Sequence, residues 1–305
     1  MIPARLAPAA ASNPARGIVM MLLCVLLFSC MDAAVKFATQ DYPVGQIVFF
    51  RNLVAFLPIA FFIRAAGGIA VLRTGRLGTH VLRTLFGLGA MVAGFLGYSL
   101  LPLGDAVALE QSGPIFLTAL SVPLLGERVG IRRWSAVIVG FVGVLIMTRP
   151  GAGVFDPAAL LPLSAALLYA VAMIAIRKLS HSEPAATIVF YFTVIGATAG
   201  ALSLPFQWHT PDAAGLATLV GIGLLGGGAQ ITMTLAFRVA PVALLAPFGY
   251  AGLVFAMGFG YLIWGEVPDA YLLLGAAIVV GSGLYILHRE TTLARRRAMV
   301  APAPV

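Results

Sequence analysis

The chain has 305 residues, of which 61% are hydrophobic and 10% are charged, and its mean hydropathy is +1.01. About a quarter of the residues in soluble domains are charged, so this composition excludes an ordinary water-soluble protein. The net charge of +8 would suit nucleic acid. However, the cations stand in short gaps between apolar segments and form no long basic run, so we predict no nucleic-acid partner.

Ten apolar segments follow one another, each close to the roughly 20 residues that a helix needs to cross a bilayer. Segments of this length exclude barrel strands, because only backbone that satisfies its own hydrogen bonds can span lipid. Pro43, Pro150 and Pro184 fall between segments, where helices begin or end. The predicted fold class is all-α integral membrane, with ten transmembrane helices at 17–37, 44–63, 81–101, 105–126, 132–148, 157–176, 184–206, 213–237, 241–264 and 270–288.

Lys and Arg residues test the orientation, because cytoplasmic loops are enriched in them. With the N-terminus inside, all but Lys36, Arg51 and Arg149 of the 19 Lys and Arg residues fall in cytoplasmic segments or at helix ends beside them. We therefore predict a multi-pass protein of the bacterial inner membrane with both termini cytoplasmic.

The second half repeats features of the first when it is shifted by about 140 residues. Pro43 corresponds to Pro184, and Gly126–Glu127 corresponds to Gly265–Glu266. Five helices in each half place the copies in opposite orientations, an inverted repeat that is typical of transporters. The predicted divisions are a cytoplasmic segment 1–16, a first repeat 17–150, a second repeat 151–289 and a cytoplasmic tail 290–305.

Four ionisable side chains lie inside predicted helices near the outer face: Asp32, Lys36, Arg51 and Glu110. Such groups cost several kcal/mol in a membrane unless they are paired or hydrated. Asp32 and Lys36 have the favourable i,i+4 order for pairing on one helix. This layer of charge is either a structural clamp or a contact with substrate or a proton.

Polar and aromatic side chains add candidates. Gln111 follows Glu110 just before Pro114, whose ring could bend the helix. Gln230 lies near the middle of the eighth helix, where it could hydrogen-bond a substrate or another helix. The aromatic side chains that could line a cavity for a planar ligand are Tyr98, Tyr169, Tyr191, Phe248 and Tyr250.

Several short motifs occur together along the chain. They include Asp32–Lys36, Arg51–Asn52, Leu124–Arg128, Ala246–Phe248 and Trp264–Glu266. As a set they resemble the drug/metabolite transporter superfamily in its ten-helix EamA form, and most of all its riboflavin and S-adenosylmethionine importers. The resemblance implies that four helices of each half line a cavity, while helices five and ten lie outside and could form a homodimer contact.

We expect a secondary active transporter that moves a small metabolite by alternating access, surrounded by membrane lipid. Riboflavin import is the leading assignment; import of S-adenosylmethionine or a nucleoside-like metabolite, and export of amino acids or drugs, are the alternatives. No enzymatic activity, cofactor or metal is expected, because the four histidines lack metal-ligand spacing and there is no phosphate-binding loop.

Overall fold

The computed structural model describes residues 14–126, 130–149, 156–180, 182–240 and 242–300, and all its regular secondary structure within these ranges is helical. Short 3-10 helices cover Gly68–Leu72, Pro157–Ala159 and Ala246–Tyr250. Ten stretches are long and apolar enough to cross a membrane, which confirms the predicted ten-span fold. The α-helices α1 to α12 are Pro14–Ala38, Val44–Ala66, Leu77–Leu100, Leu103–Glu110, Gly113–Leu125, Ile131–Thr148, Leu160–Ser180, Ala185–Gln207, Ala213–Val239, Val242–Leu245, Ala251–Trp264 and Ala270–Val300.

Prolines, and glycines in the left-handed helical conformation, set several helix boundaries. Pro43 and Pro184 stand in extended conformation directly before α2 and α8. Gly126 and Gly265 end α5 and α11 with φ of 67° and 68°, a conformation that glycine adopts without steric cost. The turns that were matched between the two halves therefore end their helices in the same way; Glu127 of the first turn lies outside the described residues.

The third and the last helix extend clearly beyond the bounds that the sequence indicated. The third span begins at Leu77 and not at residue 81, which places Arg83 nearly two turns inside the helix. The last helix continues to Val300, so the part of the predicted tail that precedes residue 301 is helical backbone. The N-terminal residues 1–13 lie outside the described residues.

The fourth and ninth spans are both interrupted. In the fourth, α4 ends at Glu110 and α5 begins at Gly113, with Pro114 in its first turn. Proline has no N–H to bond the Glu110 carbonyl, so the regular helix cannot continue through this point. In the ninth, the 3-10 turn Ala246–Tyr250 separates α10 from α11. The bend expected at Pro114 is therefore a break in the helix.

The helices α6 and α12 pack against each other beside the rest of the bundle. A Cβ built on Gly143 would lie 2.9 Å from the backbone oxygen of Gly275, so the two helix backbones are in close contact. A Cβ on Gly140 would collide with Ile115 of α5. These two glycines therefore serve packing within the chain.

The chain crosses between two ends of the bundle. We call the end with residues 39–43, 101–102, 208–212 and 265–269 the distal end, and the end where α1 begins the terminal end. Hydrogen bonds between the Gln46 side chain and the backbone of His209 join the first turn of α2 to the loop 208–212 at the distal end. The bond from Thr74 to Glu183 joins two loops at the terminal end.

Candidate functional site

A cavity of about 380 Å³ lies between the helices of the two halves. This volume falls in the range of small-molecule sites, which are mostly apolar with a few polar groups. Phe28, Phe95 and three methionines supply much of the apolar wall. The polar and aromatic side chains that line it are Asp32, Arg51, Arg83, Tyr98, Glu110, Gln111, Tyr169, Phe192 and Gln230.

The carboxyl groups stand in the distal half of the cavity. Asp32 lies six residues before the distal end of α1, and Glu110 lies seven residues after the distal start of α4, so both backbones are roughly 10 Å inside the bundle. Arg83 lies six residues after the terminal start of α3, at a similar depth from the opposite end. Arg51 lies seven residues after the distal start of α2, so the distal part of the cavity holds both carboxyl groups and the backbone of this arginine, while Arg83 lies toward the terminal end.

Glu110 is held by a short contact between α3 and α4. The Tyr98 hydroxyl donates a hydrogen bond to Oε2 of Glu110 at 2.9 Å. A Cβ on Gly94 would lie 2.7 Å from Oε1, so the absence of a side chain at Gly94 makes room for the carboxylate. The break that follows Glu110 leaves its backbone carbonyl without the usual i+4 donor, because Pro114 has none. This polar group lies at a helix break, and discontinuous helices of this kind line the binding sites of many transporters.

Arg51 and Arg83 both lie against Phe192 of α8. The Cζ atom of Arg83 is 3.8 Å from the centroid of the ring, and that of Arg51 is 5.7 Å from it. Arg51 is only 7% exposed, and its Nη1 donates to Oδ1 of Asn52 at 3.1 Å. These distances fit cation–π contacts, so the two guanidinium groups share one aromatic neighbour inside the bundle.

Lys36 lies outside this cavity. Its Nζ forms an ion pair with Oε1 of Glu266 at 2.5 Å and donates to the Leu101 carbonyl at 2.6 Å. The other oxygen of Glu266 accepts the Leu103 N–H at 2.8 Å. The expected pairing of Lys36 with Asp32 is therefore wrong, because Lys36 binds a carboxylate 230 positions away. This contact links the end of α1 to residues 101–103 and to the turn 265–269 at the distal end.

A second cavity of about 560 Å³ lies between α5, α7 and α12. Gln111 and Ile176 line both cavities, and the second one reaches Leu125 and Leu287 near the terminal end. Tyr250 lines this second cavity and not the first. The polar interior of the bundle thus extends toward the terminal end, while the ion pair of Lys36 closes part of the distal end.

The structure places seven of the eleven candidate residues around the first cavity. Phe248 instead packs against an apolar cluster that includes Met21 and Leu245, and Tyr191 donates to the Leu72 carbonyl at the terminal end. The seven residues are Asp32, Arg51, Tyr98, Glu110, Gln111, Tyr169 and Gln230.

Sequence reasoning missed Arg83 and Phe192. Arg83 was assigned to the cytoplasmic boundary because the predicted start of the third helix, residue 81, lies four residues after the observed start at Leu77. The apolar Leu77 and the small Gly78 and Thr79 allow the helix to begin there. His80 is fully buried, and the centroid of its ring lies 4.6 Å from that of Tyr191 with the two rings tilted by 35°. Within the described ranges no cluster of three metal-ligating side chains occurs.

The sequence was compared with those of known proteins. A sequence model of the EamA-like transporter family matches residues 15–149 and again residues 156–287. A riboflavin transporter of Vibrio cholerae is 31% identical over 95% of this chain and 98% of its own length. The pseudopaline exporter CntI of Pseudomonas aeruginosa is 32% identical over 87% and 93%.

Two further matches cover similar lengths. An S-adenosylmethionine uptake transporter of Rickettsia bellii is 30% identical over 90% of this chain and 94% of its own. The crystal structure of another protein, 21% identical, superposes with a TM-score of 0.64 over 92% of this chain and 98% of that chain. At this identity the superposition shows a shared fold.

Proposed function

This chain belongs to the EamA-like transporter family, and we propose that it is a secondary active transporter that moves a small metabolite across the bacterial inner membrane by alternating access. The predicted topology makes the distal end periplasmic and the terminal end cytoplasmic. The two family matches in one chain support two repeats, which five spans each would place in opposite orientations.

The observation that carries the proposal is the lined cavity at the centre of the bundle. Two carboxyls, two guanidiniums and two amide side chains face it among aromatic rings. Ionisable groups are rare inside membrane spans and mark substrate or ion pathways when they face an internal cavity. A cavity in which aromatic rings stand beside polar groups suits a planar molecule with polar substituents.

The structure has the features of a state closed at the distal end. The ion pair of Lys36 with Glu266 and the reciprocal hydrogen bonds of Gln46 with the backbone of His209 hold this end together. The second cavity leads from Gln111 toward the terminal end. Alternating access requires such contacts to form in one state and break in the other.

Riboflavin import is the leading substrate assignment. It draws on relatives named riboflavin transporter, which align over nearly the whole chain, and on the aromatic lining that a planar heterocycle could contact. Import of S-adenosylmethionine is supported by relatives with that name. Export remains a second class of function, because the relative CntI is named an exporter.

Uptake of labelled riboflavin tests the assignment. A bacterium that cannot make riboflavin should grow at low vitamin concentration when it expresses the chain, and unlabelled riboflavin should compete with the label. Glu110→Gln should lower the rate, whereas Asp41→Asn, at an exposed distal loop, should not. If well-inserted wild-type protein accumulates no label, riboflavin import is wrong, and S-adenosylmethionine uptake and efflux of amino acids are measured next.

A further inference from the structure

The arrangement of Arg51, Arg83 and Phe192 leaves several guanidinium N–H groups without an acceptor. Nε of Arg51 and both Nε and Nη1 of Arg83 are buried and make no hydrogen bond within the described residues. A buried donor without a partner costs about 1–3 kcal/mol, and more when the group is charged. Three such donors around one ring are therefore unfavourable in the empty protein.

The acids of the cavity do not provide the missing acceptors. In the described part of the chain, no carboxylate oxygen lies within 4 Å of Arg51 or Arg83. Glu110 is bonded to Tyr98 instead. A space of about 10 Å³ beside the two arginines has room for about one water. Water in the larger cavity that both arginines line can hydrogen-bond their guanidinium groups, but it supplies no negative charge.

Arginine is the side chain best suited to bind paired oxygen acceptors. Its planar group presents N–H donors in a fixed fork that matches a carboxylate or two neighbouring carbonyls. Phe192 covers one face of the Arg83 group at 3.8 Å and so helps to fix its orientation. The edges of two such groups at one cavity wall make a receptor for oxygen atoms.

We propose that Arg51 and Arg83 together bind acceptor oxygens of the transported molecule, and that this contact selects the substrate. This assignment rests on the proposed transport function of the same cavity. Two sources supply the same chemistry: the ring carbonyls of a flavin and the carboxylate of an amino-acid group, as in S-adenosylmethionine. The remaining polar groups of the substrate then face the distal part of the cavity, where Asp32 and Glu110 accept hydrogen bonds.

Binding to the purified full-length protein in lipid nanodiscs tests the assignment. The probes are riboflavin, S-adenosylmethionine and ribitol, which has neither ring carbonyls nor a carboxylate. Arg83→Gln should lower the affinity for whichever probe the wild type binds by about 10-fold or more, since hydrogen bonds to charged groups are strong. Arg83→Lys should bind the probe almost as weakly as Arg83→Gln, because an ammonium group lacks the planar pair of N–H donors of arginine. Arg132→Gln, at the exposed start of α6, is the matched control and should bind as wild type.

A second measurement reads the charge of the site without any substrate. The variant Phe192→Cys, which also carries Cys24→Ala and Cys30→Ser, is reacted with thiosulfonate reagents that bear either a sulfonate or a trimethylammonium group. The rate of each reagent with the protein is divided by its rate with free cysteine, and this relative rate should be at least several-fold higher for the anionic reagent. Arg83→Gln should remove this preference. Ala172→Cys, on the α7 wall of the cavity, repeats the measurement with Phe192 in place.

The outcomes separate this proposal from the function on which it rests. If wild type binds riboflavin and Arg83→Gln binds it equally well, the arginine pair is not the acceptor site, although riboflavin transport stands. If wild type binds no probe but the anionic preference is present and depends on Arg83, the acceptor site stands and the named substrates fall. Equal rates for both reagents in both cysteine variants would overturn the proposal.

Discussion

Loss of the ion pair between Lys36 and Glu266 should open the distal end of the transporter. The perturbation is Glu266→Gln, which keeps the size of the side chain and an oxygen for the Leu103 N–H but removes the charge that faces Lys36. Lys36 then keeps the Leu101 carbonyl and the Trp264 ring as neighbours but loses the one carboxylate that it contacts directly within the described residues. A cation in this position favours any state in which water reaches it.

The burial of the pair sets the size of the effect. Removing one partner of a fully buried pair costs about 3–5 kcal/mol, whereas exposed pairs contribute about 0–1 kcal/mol. The side chains of Lys36 and Glu266 are 11% and 19% exposed. We therefore expect the loss of the pair to destabilise the closed state by a free energy between these limits, about 2–3 kcal/mol. At about 1.4 kcal/mol per factor of ten, the ratio of distally open to closed protein should rise roughly 30- to 140-fold.

Accessibility of a cavity cysteine measures this ratio. Ala166 lines the cavity six residues after the distal start of α7, so Ala166→Cys in the background without Cys24 and Cys30 reports distal opening. A membrane-impermeant maleimide is added to the periplasmic side, and Glu266→Gln should raise the labelling rate roughly in proportion to the population of open protein. Combining it with Lys36→Met should add little, because both changes break one interaction.

The neighbouring ion pair of Arg149 and Asp269 is the matched control. It joins α6 to the start of α12 at the same end, but its side chains are 32% and 45% exposed. Exposed pairs contribute little, so Asp269→Asn should change the labelling rate by less than about threefold. Unchanged labelling in correctly inserted Glu266→Gln protein would refute the role of Lys36 and Glu266 in closure.

Two further predictions concern the cavity wall and the distal turn. Gly94→Ala should lower substrate uptake at least about fivefold without loss of inserted protein, because its Cβ would lie 2.7 Å from the Glu110 carboxylate. The control is Gly78→Ala on the same helix, where a Cβ meets nothing within 4 Å, and it should leave uptake unchanged. The bond from the Leu272 N–H lowers the pKa of Asp269 below its ordinary 3.8. Its charge therefore stabilises the fold above pH 4 and loses this effect as the pH falls through the lowered pKa. The loss of thermal stability in Asp269→Ala, measured by unfolding in detergent, should accordingly be larger at pH 6 than near pH 3.

The spans and most of the cavity could be predicted because membranes restrict sequence strongly. A carboxylate or guanidinium inside an apolar segment is exceptional, so Asp32, Arg51 and Glu110 are visible without any structure. The break at Gln111 was similarly indicated by Pro114, whose missing N–H is a local property. These signals need only neighbouring residues.

The partners of these residues could not be predicted in the same way. Lys36 has a local candidate partner in Asp32 four positions earlier, yet it binds Glu266 because the α11–α12 turn lies beside it in the folded bundle. Arg83 was misplaced because a basic residue near a helix start is also what a cytoplasmic boundary looks like. Phe192 carried no signal at all, since a phenylalanine in an apolar helix is unexceptional; only its contacts with two cations distinguish it.

The contacts at the two ends of the bundle bear on how the cavity opens. At the distal end the two family-matched segments meet through the ion pair of Lys36 with Glu266 and through the Gln46 bonds. At the terminal end their side-chain contacts include neutral donors from α8 to backbone carbonyls, such as Thr187 to Val71 at 2.6 Å. Water can replace a neutral partner at small cost, because the net contribution of a hydrogen bond is about 1 kcal/mol. Separating a half-buried ion pair costs more. It follows that opening the distal end includes the cost of separating Lys36 from Glu266, and that binding energy from the substrate can offset this cost.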